Sequence, residues 1–399
     1  MNDLPKGWEW KKLGDVCDIY NGSTPSRNKK EYWGGDILWA TPTDVSNLGT
    51  KYIENTREQI TKEGYGSCST HLLPKGSVIF TSRASIGHIA ITKKELCTNQ
   101  GFKNFVCKQE LLPEFLLYCL KLKKKDIENL GSGSTFKEVS MSTIKQVEIP
   151  IPPLAVQKRI IAILERAESL KQKREEANTD TDTIIQSIFY EMFGDPVKNE
   201  KGWNASKLND EINILGGYAF KSVDFVVEGI PLIKIGTVNK GYFDKSDLSY
   251  LPFNYLKEYE RYLIEKGDLL ISLTGTIGKD DYGNICICDD SEKYLLNQRV
   301  AKLIPKKSIN PYYLMYLFKN KDVKNKLTKL SRGIRQANIS NRDILNLTVP
   351  MPPISLQNQF AEIVKKTESI KITQSESTSD INNLFDALMQ KAFNGELVE

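Results

Sequence analysis

The chain has 399 residues, of which 40% are hydrophobic and 26% charged, and a formal net charge of +5. That length supports two or three domains with real cores, and the modest basic excess permits nucleic-acid binding without demanding it. No charged-then-apolar leader opens the sequence and no run approaches the roughly 18–20 apolar residues of a membrane span, while the seven scattered cysteines, an odd number, read as reduced thiols; the expectation is a cytoplasmic protein without a membrane partner.

In chain order, residues 1–150 mix short strands, turns and a few helices. Strands are predicted at Asp36–Ala40, Ser77–Thr81 and Ile89–Thr92, rich in β-branched or aromatic residues and bounded by Gly, Pro and Lys. A helix is predicted over Glu114–Asn129, ending in a Lys-rich turn before Gly131. A second, very different segment runs from Leu154 to Phe193, introduced by two prolines and stopped by Gly194. Residues 195–350 then repeat the first grammar, with strands near Leu232–Ile235, Asp268–Leu273 and Asn284–Ile287 and a helix at Tyr312–Leu330. Without regular βαβ alternation each module is expected to be α+β.

The repetition extends to particular residues. Val147-Glu148-Ile149-Pro150-Ile151-Pro152-Pro153-Leu154-Ala155-Val156-Gln157 returns as Leu347-Thr348-Val349-Pro350-Met351-Pro352-Pro353-Ile354-Ser355-Leu356-Gln357. Lys6-Gly7-Trp8 is echoed by Lys201-Gly202-Trp203, Ser85-Ile86-Gly87 by Thr276-Ile277-Gly278, and Thr98-Asn99-Gln100 by Leu296-Asn297-Gln298. A period this long fits a duplicated domain rather than a solenoid unit. The stretches at 20–70 and 215–260 have diverged most, which reads either as two different recognition surfaces on one scaffold or as loop drift.

After each Pro-Pro pair, apolar residues recur at spacings of three and four. The predicted seam is Ile163, Ala167, Leu170, Ile184 and Ile188 in the first copy and Ile363, Thr367, Ile370, Leu384 and Leu388 in the second, each offset by 200. A helix of ~40 residues spans ~60 Å. No module of this size hides such a rod, so the two rods are expected to pair antiparallel as the chain crosses to the second module and returns. The domain reading is 1–153 and 195–353 for the modules, 154–194 and 354–399 for the rods. The polar rod centres, Lys171–Asp182 and Gln374–Asp380, are either loosely packed or covered by a partner; partner contact is favoured.

Catalytic signatures fail. His71 and His88 are the only histidines and stand apart. Leu273-Thr274-Gly275-Thr276-Ile277-Gly278-Lys279-Asp280 has Leu where a phosphate loop needs its first Gly, and Asp where it needs Ser or Thr. Asn310-Pro311-Tyr312-Tyr313 lacks the second proline of the adenine-methyltransferase tetrapeptide. Cys286-Ile287-Cys288 has the wrong spacing for a zinc knuckle, so no metal site is expected.

Side chains suited to DNA are better represented, with Lys and Arg for phosphates and Arg, Asn, Gln and Thr for base edges. In the first half these are Thr24, Arg27, Arg83, Asn99, Gln100, Lys103, Thr135 and Lys137, the last two in the polar loop Ser132-Gly133-Ser134-Thr135-Phe136-Lys137. In the second half they are Lys234, Lys279, Gln298, Arg299, Arg332, Arg335 and Gln336, of which the Arg332–Gln336 loop is the strongest candidate.

Taken together, the Gly-Trp openings, Gly34-Gly35-Asp36-Ile37, Thr98-Asn99-Gln100-Gly101-Phe102, Gly133-Ser134-Thr135-Phe136-Lys137, the two Pro-Pro-to-Gln helix starts and the helix ends Phe189–Asp195 and Met389–Leu397 resemble the specificity subunit of type I restriction-modification systems. The resemblance runs along essentially the whole chain and rests on the order and duplication of these elements. It implies an α+β, pseudo-twofold molecule of two target-recognition domains joined by two long antiparallel helices forming a coiled coil. It implies that each domain reads one half of a split, asymmetric sequence in double-stranded DNA, and that the helices set the spacer. It further implies partner methyltransferase (M) and motor-nuclease (R) subunits, with S-adenosylmethionine, ATP and Mg2+ on those partners and no cofactor or catalytic residue on this chain. The alternative is a stand-alone coiled-coil DNA-binding or adaptor protein using the same scaffold.

Overall fold

The computed structural model describes residues 4–132, 137–276, 279, 281–329 and 336–398, and gives only the backbone of Asp180, Asp182 and Gln336. Two compact units emerge, Met1–Glu175 with Glu376–Glu399, and Glu176–Ser375.

In the first unit, five strands form a sheet in the order Cys17–Asn21, Phe102–Cys107, Val78–Thr81, Ile89–Thr92, Tyr52–Ile53. A second sheet runs Glu58–Ile60, Trp33–Ala40, Cys97–Thr98. The second unit has two four-stranded sheets, Ile212–Gly216, Val300–Pro305, Leu269–Ser272, Ile285–Ile287 and Ser249–Leu251, Ile230–Ile233, Tyr294–Leu296, Leu263–Ile264. Mostly antiparallel pairing with one matching parallel step marks both. Trp39 and Ala40 run parallel to Cys97 and Thr98, as Leu232 and Ile233 do to Leu295 and Leu296. The central strands Val78–Thr81 and Leu269–Ser272 are buried along their whole length, which explains why they read as unbroken apolar runs.

The helix expected over Glu114–Asn129 is two, Pro113–Leu122 and Lys124–Asn129. Its counterpart divides into Pro311–Lys319 and Lys321–Thr328, because the Asn320 side chain accepts the backbone N–H groups of Asp322 and Val323 and starts a new helix. Its expected end at Leu330 lies outside the described residues. Asn310 caps in the same way, accepting the Tyr312 N–H at 2.9 Å with proline at the first helical position. A local helix start therefore accounts for Asn310-Pro311-Tyr312-Tyr313.

Each globular core is closed by parts of both long helices, Leu154–Phe193 and Ile354–Asn394. In the first unit Ile160, Ile161 and Leu164 share a core with Met389, Ala392 and Phe393, and the Phe393 ring lies 5.2 Å from Phe115. In the second, Phe189 and Phe193 sit 5.5 and 5.4 Å from Phe360 and beside Tyr313. In either unit the start of one helix meets the end of the other, so the helices pair antiparallel. The Gln of each Pro-Pro motif fastens helix to module. Gln157 accepts the Leu112 N–H and donates to the carbonyls of Glu110 and Pro152, while Gln357 accepts the Asn310 N–H and donates to those of Ser308 and Pro352.

The seam differs from the expected heptad stripe. Leu170, Ile184, Ile370 and Leu384 are 49%, 54%, 53% and 52% exposed. Ile163, Ile188, Ile363, Thr367 and Leu388 are half-buried, and Ala167 is buried. The buried face instead carries Ile160, Ile161 and Leu164, and, at spacings of four, Thr181, Ile185, Phe189 and Phe193. The helix ends pack on their modules as well as on each other, so the 3.6-residue period of a globular helix wins over the 3.5-residue period of a free coiled coil. In the polar centre, Thr181 and Gln374 meet across the helices at 3.3 Å, within the second unit.

Candidate nucleic-acid interface

In each unit the chain is clipped together by the same set of backbone hydrogen bonds, at the edge where the sheets meet. In the first unit Ser82 N–H donates to Gly101 at 2.8 Å, Val139 N–H to Ser82 at 2.9 Å and Ala84 N–H to Lys137 at 3.1 Å. In the second, Leu273 N–H donates to Arg299 at 2.9 Å and Ile339 N–H to Leu273 at 2.8 Å. Three segments distant in sequence thus converge: a hairpin end, the turn after a strand, and the loop after the paired short helices. The fourth is the segment after the edge strand. Ser23 N–H donates to Thr98, and Tyr218 N–H to Leu296. Gly22 and Gly217 allow that approach, since a Cβ on either would run into the backbone carbonyl of Asn99 or Asn297.

This brings together many of the predicted side chains. In the first unit the Thr24 hydroxyl donates to Gln100, which is exposed. Asn99 turns its carbonyl to the Gly101 N–H at 2.9 Å and so shapes the turn. Arg83 and Lys137 are exposed beside it, and Arg83 lies 3.8 Å from Glu138. Lys103 departs from expectation. Its side chain is 5% exposed and pairs with Glu138 at 3.7 Å. Burial lowers its ammonium, an effect that Glu138 opposes. It lies in a strand paired on both sides, between the buried Phe102 and Asn104, so it holds up the loop from within. Arg27 is also engaged. Both terminal nitrogens donate to Glu58, and the guanidinium stacks 3.9 Å over the Trp33 ring. Thr135 lies outside the described residues.

In the second unit Gln298 and Arg299 are exposed at the corresponding turn, and Gln298 N–H donates to the Tyr218 carbonyl. Lys234, at the end of Ile230–Ile233, donates to the Ser249 hydroxyl at 2.8 Å. Gln336 faces Thr276 in a two-stranded ribbon of Thr274–Thr276 and Gln336–Asn338. Arg332 and Arg335 lie outside the described residues. Lys279 stands apart, lining a cleft with Lys319, Lys321 and Lys324.

The hairpin corrects one sequence correspondence. Gly87 N–H donates to Thr81 and Thr81 N–H to His88, and Gly283 N–H donates to Ser272 and Ser272 N–H to Asn284. Gly87 and Gly283, both at positive φ, are therefore equivalent; Ile277 and Gly278, which the sequence set beside Ile86 and Gly87, lie outside the described residues. The second unit carries a longer hairpin, in which Thr274–Thr276 pairs with Gln336–Asn338 as Arg83 bridges Glu138 in the first. Repeated Ile-Gly pairs misled the comparison.

Sequence reading missed Glu58, the partner of Arg27, and Tyr218, whose ring meets Phe220 edge-on at 4.9 Å and lies tilted 4.7 Å from Tyr259 where the first unit has Ser23. Tyr218 could have been flagged by its place after Gly216-Gly217. Cys286 and Cys288 are core thiols, pushed up by burial to about 12 and about 11. Among the described residues no group of three His, Cys, Asp or Glu side chains is placed to hold a metal ion, and no helix is long and apolar enough to cross a membrane.

The family model for the type I restriction modification DNA specificity domain matches residues 5–179 and again residues 200–383. The chain belongs to this family. The specificity subunit of the type I restriction enzyme MjaIX of Methanocaldococcus jannaschii is 30% identical, over 100% of this chain and 95% of that relative. The EcoKI specificity subunit of Escherichia coli K12 is 27% identical, over 99% of this chain and 90% of the relative. Among solved structures, a chain of a type I R-M system aligns over 100% of both chains with TM-score 0.65 and 21% identity. The crystal structure of an S subunit from M. genitalium aligns over 98% of this chain and 97% of that one, with TM-score 0.54 and 17% identity. The fold is shared with both. The chain is thus a specificity subunit of the type I restriction-modification class.

Proposed function

We propose that each unit reads one part of a bipartite, asymmetric sequence in double-stranded DNA through its clipped edge. The observation that carries this is a shared scaffold with unlike side chains. The same backbone bonds fix both edges, yet around the equivalent Gln100 and Gln298 the residues Ser23, Thr24 and Gly101 on one correspond to Tyr218, Ala219 and Arg299 on the other. Gln100 and Gln298 suit adenine edges and Arg299 suits guanine, while Arg83, Lys137 and Lys234 supply charge for phosphates. Thr135, Arg332, Arg335 and Gln336 belong to the same two loops and are assigned to the same surface.

The long helices set the spacer between half-sites and dock the methyltransferase subunits, and motor-nuclease subunits join the full complex. Methyl transfer and cleavage reside in those partners, with S-adenosylmethionine, ATP and Mg2+. The chain itself acts as a recognition subunit. What supports docking on the helices is the exposed set of Leu170 and Leu384 in the first unit and Ile184 and Ile370 in the second, since large apolar side chains standing out from a helix suit burial against another protein.

The test is a random-duplex binding selection with the chain assembled with its methyltransferase subunits. Two unlike motifs at one fixed spacing are expected. One motif, or none above background, overturns the reading.

A further inference from the structure

The reading edge of the second unit carries an exposed aromatic ring that the first unit lacks. The backbone fixes its place. Tyr218 N–H donates to the Leu296 carbonyl at 2.9 Å, and Gln298 N–H donates to the Tyr218 carbonyl at 2.9 Å. Tyr218 and the exposed Gln298 are therefore held side by side. In the first unit the same bond is made by Ser23, whose N–H donates to Thr98.

Other rings brace Tyr218 from behind. Phe220 lies 4.9 Å away, Tyr259 4.7 Å and Tyr262 5.5 Å. Phe220 and Tyr259 are 5.0 Å apart, and Tyr255 stands 5.0 Å from Tyr259. Phe220 is itself buried with Leu232, Leu251 and Leu295, which anchors the cluster in a core. Tyr218 nevertheless remains 39% exposed. A ring held in this way has little rotamer freedom left to lose when a ligand covers it.

The surroundings favour an apolar contact over a phosphate. Burial raises the phenols of Tyr255 and Tyr259, which keeps both rings neutral. The charges that act most on them are carboxylates, Asp224 and Glu258 on Tyr255 and Glu258 on Tyr259, and a carboxylate repels a phosphate. In the major groove the apolar group on offer is the thymine methyl, and aromatic side chains suit it.

We propose that the Tyr218 ring packs against the 5-methyl group of a thymine in the second half-site, beside the base that Gln298 reads. The proposal rests on the DNA-reading function above and deepens it by naming the base and the atom touched. The two side chains are compatible on one A·T-containing step: Gln298 suits the adenine edge, and thymine presents its methyl in the same groove.

The experiment uses the full chain assembled with its methyltransferase subunits and duplexes carrying the selected sequence. Each thymine of the second half-site is replaced in turn by uracil, which removes the methyl and keeps the base pairing and every hydrogen-bonding edge. Binding is measured for the wild type, Tyr218→Phe and Tyr218→Ser. The same backbone bond holds Ser23 in the first unit, so serine is compatible with this turn. One uracil is expected to weaken wild-type binding roughly fourfold, the worth of one buried methyl group. Tyr218→Phe should keep that difference. Tyr218→Ser should bind the thymine duplex more weakly and no longer distinguish it from the uracil one. A wild type indifferent to uracil at every position overturns the proposal, as does a second half-site selected without thymine. Full discrimination retained by Tyr218→Ser assigns the methyl to another side chain and likewise overturns it. A wild type that selects no second half-site overturns the underlying function instead.

Discussion

Gln157 accepts the backbone N–H of Leu112 at 2.9 Å, from a side chain with no exposed surface. Its amide nitrogen meanwhile donates to Glu110 and Pro152 at 2.7 and 2.9 Å. One side chain thus satisfies three backbone groups, buried or part-buried, at the joint between module and long helix. Gln157→Leu strands all three and is expected to cost about 2–4 kcal/mol. Urea denaturation gives the magnitude, and hydrogen exchange at Leu112 locates the loss in the first unit. Normal protection of Leu112 in the variant contradicts the joint's role.

Glu168 and Glu368 occupy equivalent positions and titrate in opposite directions. Burial by itself would raise Glu168, but Lys121 at 2.6 Å, the Tyr118 hydroxyl at 2.8 Å and Lys51 at 3.9 Å hold it below the usual carboxylate range. Its stabilisation is present above the unfolded value of about 4.3 and is lost as pH falls through the lower folded one. Burial raises Glu368, against the pull of Lys319 and Lys371. For Glu368 the sign reverses, and ionisation costs stability as pH rises from about 4.3 through the raised folded value. Glu168→Gln should therefore destabilise by about 1–2 kcal/mol at neutral pH, allowing for its partial exposure, and converge on the wild type in acid. Glu368→Gln should stabilise at neutral pH, and that gain should vanish in acid. Parallel pH profiles for the two variants would refute the contrast.

Gly22 lets the recognition segment lie against Asn99, where a Cβ has no room. Gly22→Ala must push the Thr24 segment off Gln100, at a cost of about 1–3 kcal/mol for overpacking. The expected result is a roughly tenfold or greater weakening confined to the first half-site, with the second half-site and subunit assembly unchanged. Equal loss at both half-sites would show that the glycine serves general folding.

How far the sequence revealed this follows from what each signal encodes. The duplication was legible because Pro-Pro starts, Gln157 and Gln357 are fixed by backbone chemistry that admits few substitutes. Strands such as Ile89–Thr92 were legible because burial demands apolar side chains. The seam was misread because Leu170, Ile184, Ile370 and Leu384 keep an apolar period while facing outward; hydrophobic spacing reports a stripe without saying what covers it. The hairpin register was misread because Thr276-Ile277-Gly278 repeats the pattern of Ser85-Ile86-Gly87 in sequence, while the Ser272–Asn284 pairing puts Gly283 in the place of Gly87. Lys103 and Arg27 were legible as cations, but their partners Glu138 and Glu58 lie 35 and 31 positions away, out of reach of local pattern.

Base readout makes a narrower demand on Gln100 and Gln298, exposed at equivalent turns. A glutamine bidentate to adenine is worth about 1–3 kcal/mol of discrimination. Gln100→Ala should relax the preference at one position of the first half-site, and Gln298→Ala at one position of the second. Sequencing after a binding selection gives both. Uniform weakening across all positions would reassign these residues to the phosphate backbone.

The exposed apolar residues of the long helices give the last test. Leu170 and Leu384, both in the first unit, are about half exposed at 49% and 52%, so changing them removes little from this chain's own core. Leu170→Asp with Leu384→Asp places two charges where the proposed methyltransferase contact would bury them, and an unpaired buried charge is costly. Subunit association measured by analytical ultracentrifugation should weaken by at least ~100-fold, an order-of-magnitude figure for two such burials, while the unfolding transition of the isolated chain stays within about 0.5 kcal/mol. If assembly survives intact with both charges in place, the partner docks elsewhere and the outward stripe is only solvated helix surface.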